Sequence, residues 1–273
     1  MKDQQCIEFL QWALPKLHMR WRGFRKVRKQ VCKRINRRMD ELKLSSVKEY
    51  KKFLTENQEE WEILDNLCRI TISRFYRNYK IFDKIGIEIF PELFQKKDKI
   101  RCWSAGCASG EEPYSISLIF FNLIQIISTL KEIEIIATDA DQNMLERAKK
   151  GCYNSSTIKE IPIKWQKEGF IKKENRFCLK EEYKKTITFL KQDIRKEKPK
   201  GSFDLILCRN LVATYFDKKL QSQIFREITE KLNPNGYLIL GKNEMTEALP
   251  EELEISNQHE RIFRKTIIGE SKS

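Results

Sequence analysis

Histidine is scarce in this chain, and its eight cysteines include no C-x-x-C pair. With only two histidines present, the usual ligand sets for zinc are missing, so we expect no metal site. The cysteines are instead expected to be reduced thiols, most of them buried, as in proteins of the cytosol.

Long apolar runs are also missing. No run reaches the ~18 residues that a membrane-spanning helix needs. The start, Met-Lys-Asp-Gln-Gln, lacks the apolar stretch of a signal peptide. We therefore expect a soluble, cytoplasmic protein. Its 273 residues are enough for one small and one medium domain, each with its own core.

The common phosphate-binding glycine patterns are absent too. Neither G-x-G-x-x-G nor G-x-x-x-x-G-K-[ST] occurs, and Gly110 is followed by Glu111 and Glu112, whose carboxylates would repel a triphosphate. The sequence does contain an apolar strand that leads through a turn into a helix over residues 101–114. Gly106 and Gly110 let the backbone of this turn approach a ligand closely, although similar turns also occur without a ligand.

Polar side chains follow two further predicted strands. The segment 134–141 reads as a buried strand that ends in Asp139, a candidate acceptor for ribose hydroxyls, while Asp141 directly precedes a helix and is expected to cap it. A later strand ends in Arg209 and Asn210. Ligands of open α/β sheets bind beyond the carboxyl ends of the strands, so these side chains are expected to line one crevice.

The chain divides into two parts by its apolar periodicity. Residues 1–95 show helical spacing and predict a small all-α N-terminal domain, whereas residues 96–273 alternate short β-branched runs with helices. This alternation predicts an α/β domain with a mostly parallel, doubly wound sheet that is covered on both faces. A final strand over 261–267 is expected to close the sheet.

Positive charge is concentrated near the N-terminus of a chain whose net charge is +14. Residues 16–38 contain eleven lysines and arginines and no acid. A helix beginning near Phe24 would bury Val27, Val31, Ile35 and Met39. The same helix would expose Lys26, Lys29, Lys33 and Arg37, with Arg25 on the flank. Such a face attracts nucleic acid, an anionic membrane surface or an acidic protein helix, unless it serves only solubility.

Several strings of the chain, in the same order along it, resemble one family over roughly residues 20 to 265. The chain resembles the CheR-type methyltransferases, which use S-adenosylmethionine to methylate glutamate side chains of bacterial chemoreceptors. The strings that carry the resemblance are Ile70-Thr-Ile-Ser-Arg-Phe-Tyr-Arg77, Trp103-Ser-Ala-Gly-Cys-Ala-Ser-Gly-Glu-Glu-Pro-Tyr-Ser115, Ala137-Thr-Asp-Ala-Asp141 with 148–153, 203–210, Tyr215-Phe-Asp217, and Leu232-Asn-Pro-Asn-Gly236 with 241–244.

The resemblance implies a fold and an activity. The fold would be a Rossmann-like methyltransferase sheet with a small helical N-terminal domain. The activity would be that of an S-adenosylmethionine-dependent protein-glutamate O-methyltransferase acting in chemotaxis or related signalling. The basic helix would face an acidic, chemoreceptor-like helical region of the protein substrate.

The resemblance also implies roles for individual residues. Arg77 and Tyr215 would be catalytic, and Tyr76 and Tyr215 would offer aromatic faces to a sulfonium or orient the acceptor. Glu111 is expected to do no more than place favourable charge in the first turn of its helix. The cofactor-binding residues would be Thr71, Ser73, Arg77, Gly106, Glu112, Asp139, Asp193, Ile194, Arg209 and Asn210.

The chain departs from the family pattern at four places. Four residues, 211–214, separate Asn210 from Tyr215 where the family usually has three. Gly241-Lys-Asn-Glu244 replaces a Gly-His-Ser-Glu-like string, and Asn78 stands where an acid commonly follows the arginine. The span 170–189 is shorter than the family's small β-subdomain, so docking of a receptor tail peptide is not expected.

Two alternative functions belong to other classes. A nucleic-acid methyltransferase would suit the basic run, although the chain has neither an Asn/Asp-Pro-Pro-Tyr-like base-flipping motif nor a catalytic cysteine pair. A non-catalytic module could bind the cofactor and a partner protein and use cofactor occupancy as a signal. Binding of the cofactor and methyl transfer to acidic proteins or RNA would distinguish the three.

Overall fold

The computed structural model describes residues 3–127, 130–244 and 246–266. By their contacts, these residues form two compact units, one of 3–70 with 211–221 and one of 71–210 with 222–266. The expected division into domains at residues 95 and 96 stays a prediction. Within the described residues, no helix is long and apolar enough to span a membrane.

The first unit is helical. Its core contains Phe9, Leu10, Ile35, Tyr50 and Leu64, which are completely buried. Its helices are α1 (Asp3–Ala13), a 3-10 turn (Leu14–Leu17), α2 (Trp21–Phe24), α3 (Arg28–Glu41), α4 (Val47–Glu56) and α5 (Gln58–Cys68), with the short α13 (Val212–Tyr215) contributed from far along the chain.

The basic helix α3 has the polarity that its sequence predicts but a different start. Val31, Ile35 and Met39 are buried, while Lys29 and Lys33 are exposed. The expectation of a helix from Phe24 is wrong, because Phe24 ends α2 and its carbonyl accepts a hydrogen bond from Val27 N, so the chain makes a turn before α3 begins. Val27 is only half-buried.

The short helix α13 packs within this unit against α2. Arg20 N donates to the Tyr215 carbonyl oxygen at 2.8 Å, and Arg20 Nε donates to the Thr214 carbonyl oxygen at 3.1 Å. A Cβ placed on Gly23 would lie 2.2 Å from the Thr214 carbonyl oxygen, so only glycine permits this approach. The rings of Phe24 and Tyr215 meet edge to face, with their centroids 5.1 Å apart.

The second unit contains a seven-stranded sheet with the order β6-β2-β1-β7-β8-β10-β9. The first five strands are parallel, and β10 runs antiparallel to both of its neighbours. This sheet, together with the helical unit, confirms the predicted fold class. The strands are β1 (Lys99–Ala105), β2 (Glu132–Asp139), β6 (Ile187–Lys191), β7 (Phe203–Cys208), β8 (Leu232–Leu240), β9 (Leu253–Asn257) and β10 (Ile262–Lys265).

Helices and a small second sheet complete this unit. The predicted last strand is β10, which ends at Lys265, and the last residue of the prediction, Ile267, lies outside the described residues. The small antiparallel sheet has the order β3-β5-β4. Its strands are β3 (Cys152–Asn154), β4 (Phe170–Lys173) and β5 (Arg176–Leu179). The helices of the unit are α6 (Tyr79–Lys84), a π turn (Ile85–Ile89), α7 (Phe90–Lys96), α8 (Glu111–Ile127), α9 (Gln142–Lys150), α10 (Ser155–Ile158), α11 (Ile163–Gly169), α12 (Glu181–Lys185) and, from residue 222 onward, α14 (Lys218–Glu230).

Four of the eight cysteines form disulfides, so the expectation of reduced thiols is wrong for these four. Cys6 on α1 is bonded to Cys32 on α3, and Cys152 is bonded to Cys178. The second pair joins partners in the register of β3 and β5. Pairing of this kind depends on three-dimensional proximity, which the spacing along the chain does not reveal. The remaining cysteines, Cys68, Cys102, Cys107 and Cys208, are buried and are not disulfide-bonded.

Candidate functional site

The glycine turn after β1 lies at the carboxyl edge of the parallel strands. Gly106 N and Cys107 N donate to the Thr138 carbonyl oxygen at 2.8 and 3.0 Å, which ties the turn to the end of β2. Gly106 has φ 75° and is exposed, and Gly110 has φ 91°. A Cβ on Gly110 would lie 2.9 Å from Ala148 Cβ, so the turn needs glycine both for its conformation and for its packing.

Asp139 ends β2 beside this turn. Its Oδ2 accepts from Ala108 N at 2.8 Å, and its Oδ1 accepts from Asp141 N at 2.9 Å. Each carboxylate oxygen has more than one lone pair, so it can accept a further hydrogen bond from a hydroxyl. Asp141 caps α9 by accepting hydrogen bonds from Asn143 N and Met144 N, which confirms the predicted cap. The role of Asp139 in ligand binding stays a prediction.

A buried ionic network connects three of the predicted site residues. Glu112 Oε1 accepts from Ser104 Oγ at 2.8 Å, and Glu112 Oε2 accepts from Arg209 Nη1 at 3.0 Å. Arg209 Nη2 donates to the Arg77 carbonyl oxygen at 2.6 Å, and the Arg209 guanidinium lies over the Phe82 ring. Burial lowers the pKa of Arg209 below its usual value, and Glu112 opposes this effect.

The irregular segment 71–78 is held against the start of α8. The Ser73 hydroxyl is hydrogen-bonded to the Glu111 carboxylate, and Tyr76 N donates to Ser115 Oγ at 3.1 Å. Thr71 is half-buried. Within the same segment, Arg77 Nη1 donates to the Ile72 carbonyl oxygen at 3.3 Å.

Tyr76 is a core residue of the second unit. It is buried, its ring stacks on Phe82 and meets Trp165 edge to face, and it has φ 54°. Burial raises the pKa of the Tyr76 phenol above its usual value. A ring packed in this way stabilises the fold of the segment 71–78 and offers little free aromatic surface.

Glu111 has more contacts than the sequence predicts. It is only 4% exposed, and both of its carboxylate oxygens lie 2.9 Å from Ser109 Oγ. Burial raises the pKa of its carboxyl, while hydrogen bonds from its own backbone N–H, Ser109 and Ser73 act in the opposite direction. The expectation that Glu111 only supplies charge to the first turn of α8 is therefore wrong. Alternation of polar and apolar residues could not reveal this, because one hydrogen-bond partner of Glu111, Ser73, lies in the distant segment 71–78.

Asp193 follows β6, the strand that pairs with β2. Gln192 N donates to the Asp139 carbonyl oxygen at 3.0 Å, so the hydrogen bonding between the two strands continues to the residue before Asp193. Arg195 binds both oxygens of the Asp193 carboxylate, with Nε 2.9 Å from Oδ1 and Nη2 2.6 Å from Oδ2. Ile194 is buried. The sequence did not predict the contact between Arg195 and Asp193. Side chains two positions apart make such a contact only where the chain forms a tight turn, and no motif in the sequence indicated a turn here.

Asn210 follows β7 in a left-handed backbone conformation, with φ 54°. Its backbone N–H donates to Glu244 Oε2 at 2.7 Å. Glu244 is buried and was not identified as a site residue from the sequence, although it stands within the string 241–244 that resembles the family pattern. Tyr215, the other predicted catalytic residue, lies in the helical unit.

The residues of the second unit fit the cofactor that the resemblance implies. S-adenosylmethionine carries a sulfonium, an ammonium and ribose hydroxyls, and such groups favour carboxylate acceptors over the lysine-rich loops that bind phosphates. Glu112 and Asp139 lie beside a turn whose exposed Gly106 leaves room for close approach. The ends of β1, β2, β6 and β7 meet along this edge of the sheet.

Comparisons with known proteins find a matching family and similar chains. The sequence model of the family described as "CheR methyltransferase, SAM binding domain" matches residues 71–262. A chemotaxis protein methyltransferase of Listeria innocua serovar 6a is 33% identical over 180 residues, which covers 66% of this chain and 67% of the relative. A chemotaxis protein methyltransferase of Borreliella burgdorferi is 32% identical over 207 residues and covers 72% of each chain.

Solved structures also match part of the chain, with low TM-scores. The N-methyltransferase NodS from Bradyrhizobium japonicum WM9, in complex with S-adenosyl-L-homocysteine, covers 67% of this chain and 86% of its own, with 13% identity and a TM-score of 0.37. The family match and the two relatives confirm the resemblance stated from the sequence, and the family match confirms S-adenosylmethionine as the cofactor.

Proposed function

Because the chain belongs to the CheR methyltransferase family and contains its S-adenosylmethionine-binding domain, we propose that it methylates glutamate side chains of an acidic protein. The product is a carboxyl methyl ester. The relatives in Listeria innocua and Borreliella burgdorferi are chemotaxis protein methyltransferases, which supports a helical, chemoreceptor-like region as the substrate and chemotaxis as the pathway. We propose a cytoplasmic location from the chemotaxis relatives, and the two disulfides are unusual for proteins of that compartment.

The exposed face of α3 is the observation that carries the choice of an acidic substrate. Lys29 and Lys33 are exposed, and neither forms a salt bridge with any residue in the described part of the chain. Arg37 on the same face has one exposed partner, Glu41, at 3.7 Å. Such a row of cations raises the local concentration of an anionic partner and speeds its association.

The proposed chemistry needs no general base. A glutamate carboxylate, with an ordinary pKa of about 4.3, is ionised at neutral pH and is already a nucleophile. When bound, S-adenosylmethionine supplies an electrophilic methyl group on a positively charged sulfur. The task of the protein is to hold the acceptor carboxylate in position and to remove water from it.

Arg77 and Tyr215 are proposed to position the reactants. The Arg77 guanidinium would bind a carboxylate, either that of the acceptor or that of the cofactor. Arg209 Nη2 donates to the Arg77 carbonyl oxygen and so fixes the backbone from which the Arg77 side chain extends. The remaining predicted residues are proposed to bind the cofactor: Thr71, Ser73, Gly106, Glu112, Asp139, Asp193, Ile194, Arg209 and Asn210.

The ester linkage provides the test. The purified protein is incubated with S-adenosylmethionine labelled in its methyl group and with an acidic helical protein, and the product is then exposed to mild alkali. We expect label in the protein that alkali releases as methanol, because carboxyl esters hydrolyse under these conditions. A matched acceptor with its glutamates changed to glutamine should take up no label. Alkali-stable label, or label in RNA offered in parallel, would contradict the proposal.

A further inference from the structure

A single carboxylate oxygen joins the ends of two neighbouring parallel strands. Glu244 Oε2 accepts from Asn210 N, just after β7, and from Gly241 N, just after β8, each at 2.7 Å. The last residues of these strands, Cys208 and Leu240, are partners in the register of the sheet. Glu244 N also donates to the Gly241 carbonyl oxygen at 2.8 Å, which folds the chain back onto the strand end.

The surroundings of Glu244 leave this carboxylate little freedom. The residue is 5% exposed. A Cβ on Gly241 would lie 2.8 Å from Glu244 Oε2 and 2.9 Å from Asn210 Oδ1, so glycine is required for all three groups to approach each other. Loss of the carboxylate would leave two backbone N–H groups without this acceptor, and unpaired buried donors are costly.

Asn210 needs such support because of its backbone conformation. Its φ of 54° lies in the left-handed region, which L-amino acids other than glycine enter at a cost. Conformations of this kind persist where the surrounding structure imposes them, and they are common at binding sites. The acceptor of this bond is a carboxylate oxygen, and hydrogen bonds to a charged carboxylate are stronger than ordinary amide hydrogen bonds.

We propose that Glu244 is a positioning residue of the cofactor site. It fixes the left-handed backbone at Asn210 and thereby the direction in which Arg209 and Asn210 project beyond β7. This role rests on the proposed function only in that Asn210 is assigned to the cofactor site. Glu244 itself acts through Asn210 and Gly241 and contacts no reacting group.

Binding of S-adenosylhomocysteine to the full chain, measured by calorimetry without any methyl acceptor, tests this role. We expect Glu244→Ala to raise the dissociation constant about tenfold, the effect of losing a charge-assisted hydrogen bond. Glu244→Gln should restore part of the affinity, because its amide oxygen can still accept. Gly241→Ala should weaken binding as well, since its new methyl group displaces both neighbours. The exposed Glu254→Gln, on the same sheet, is the matched control and should bind like the wild type.

A double-mutant cycle separates positioning from general stability. Each of Glu244→Ala and Asn210→Ala raises the dissociation constant by some factor. If Glu244 acts through Asn210, the double variant should raise the dissociation constant by less than the product of these two factors. Additive effects would overturn the proposal. A lower melting temperature with unchanged affinity in the folded Glu244→Gln and Gly241→Ala proteins would also overturn it, because a purely structural residue behaves in that way.

The same data distinguish this proposal from the assignments on which it rests. Wild-type affinity in Asn210→Ala would remove Asn210 from the cofactor site and the role of Glu244 with it. Weakened binding in Asn210→Ala together with wild-type affinity in Glu244→Ala and Gly241→Ala would reject the role of Glu244 alone. The choice of glutamate as methyl acceptor does not enter the measurement, so its failure would leave these results unaffected.

Discussion

Arg209 Nη1 lies 3.0 Å from Glu112 Oε2, and only 3% of the arginine side chain is exposed. The same guanidinium donates to the backbone of Arg77, so it connects the end of β7, the first turn of α8 and the segment 71–78. Removing one partner of a buried ion pair leaves the other charge uncompensated, which is among the more destabilising changes known in proteins.

Arg209→Lys should therefore lower the free energy of unfolding although it keeps the charge. Lysine cannot donate to Glu112 and to the Arg77 carbonyl oxygen with the fixed geometry of a guanidinium. We expect a loss of about 2 kcal/mol, the cost of leaving a buried acceptor without its donor, measured by urea denaturation. The exposed Arg226→Lys on α14 is the control and should change stability little. A loss in Arg209→Lys no larger than in the control would show that the network contributes nothing to stability.

Glu111 should make the stability depend on pH. Its folded pKa is raised above 4.5 by burial, so its contribution is fully present below about pH 4.5 and is lost as the pH rises through the folded pKa. The free energy of unfolding of the wild type, relative to Glu111→Gln, should fall over this window by at most about 1.4 kcal/mol per pH unit. Denaturation of both proteins at a series of pH values measures this difference, with the exposed Glu160→Gln as the control. A difference that rises with pH would mean that the folded protein favours the charged carboxylate.

Reversing the charge of two lysines on α3 should slow methyl transfer to the protein substrate without changing cofactor binding. For Lys29→Glu combined with Lys33→Glu, we expect kcat/KM for the acidic protein to fall about tenfold at low salt, because electrostatic attraction is lost. The remaining activity should depend less on salt, and cofactor binding should be unchanged. The same four-unit change in charge at the exposed Lys48 and Lys52 of α4 is the control. Equal losses in both variants would point to net charge rather than to the face of α3.

Breaking the Cys6–Cys32 bond should destabilise the oxidised protein. The bond closes a loop across a separation of 26 residues, and the loss of such a constraint costs about 3 kcal/mol in the chain-entropy estimate. The free energy of unfolding is measured by urea denaturation with and without dithiothreitol. Reduction removes both disulfides, so the reduced wild type should be no more stable than the oxidised double variant Cys6→Ala with Cys32→Ala. Wild-type stability in the oxidised double variant would contradict the prediction.

Arg77→Ala should abolish most of the methyl transfer and leave the fold intact. The backbone carbonyl that binds Arg209 remains, so the network persists, whereas the guanidinium that positions a carboxylate is lost. We expect kcat/KM to fall about 100-fold with an unchanged melting temperature. Arg74→Ala, an exposed residue of the same segment, is the control. Retained activity in Arg77→Ala would remove this residue from the site.

The sequence predicted those features that depend on local pattern. The turn at Gly106 and Gly110, the cap at Asp141 and the strand that ends in Asp139 follow from short-range periodicity and from residue types with strong conformational preferences. The parallel sheet follows from the alternation of strands and helices. These features need no knowledge of which segments meet in space.

Contacts between distant segments could not be predicted from the sequence. Arg209 meets Glu112 across 97 positions, and Glu244 meets Asn210 across 34. Glu111 is hydrogen-bonded to Ser73, which lies in another segment. The resemblance to a family identified candidate site residues. Neither the resemblance nor the periodicity of the sequence predicted which residues form hydrogen bonds with them.

The packing of α13 on α2 limits how this protein can be divided. Residues 211–221 belong to the same compact unit as the N-terminal helices, although in the chain they lie between β7 and the rest of α14. A truncated protein that begins near residue 71 would keep α13 but expose the face that Gly23 and Phe24 cover. Expression of the sheet-containing part alone therefore requires a redesigned connection between β7 and α14, and simple removal of the N-terminus would produce an aggregation-prone fragment.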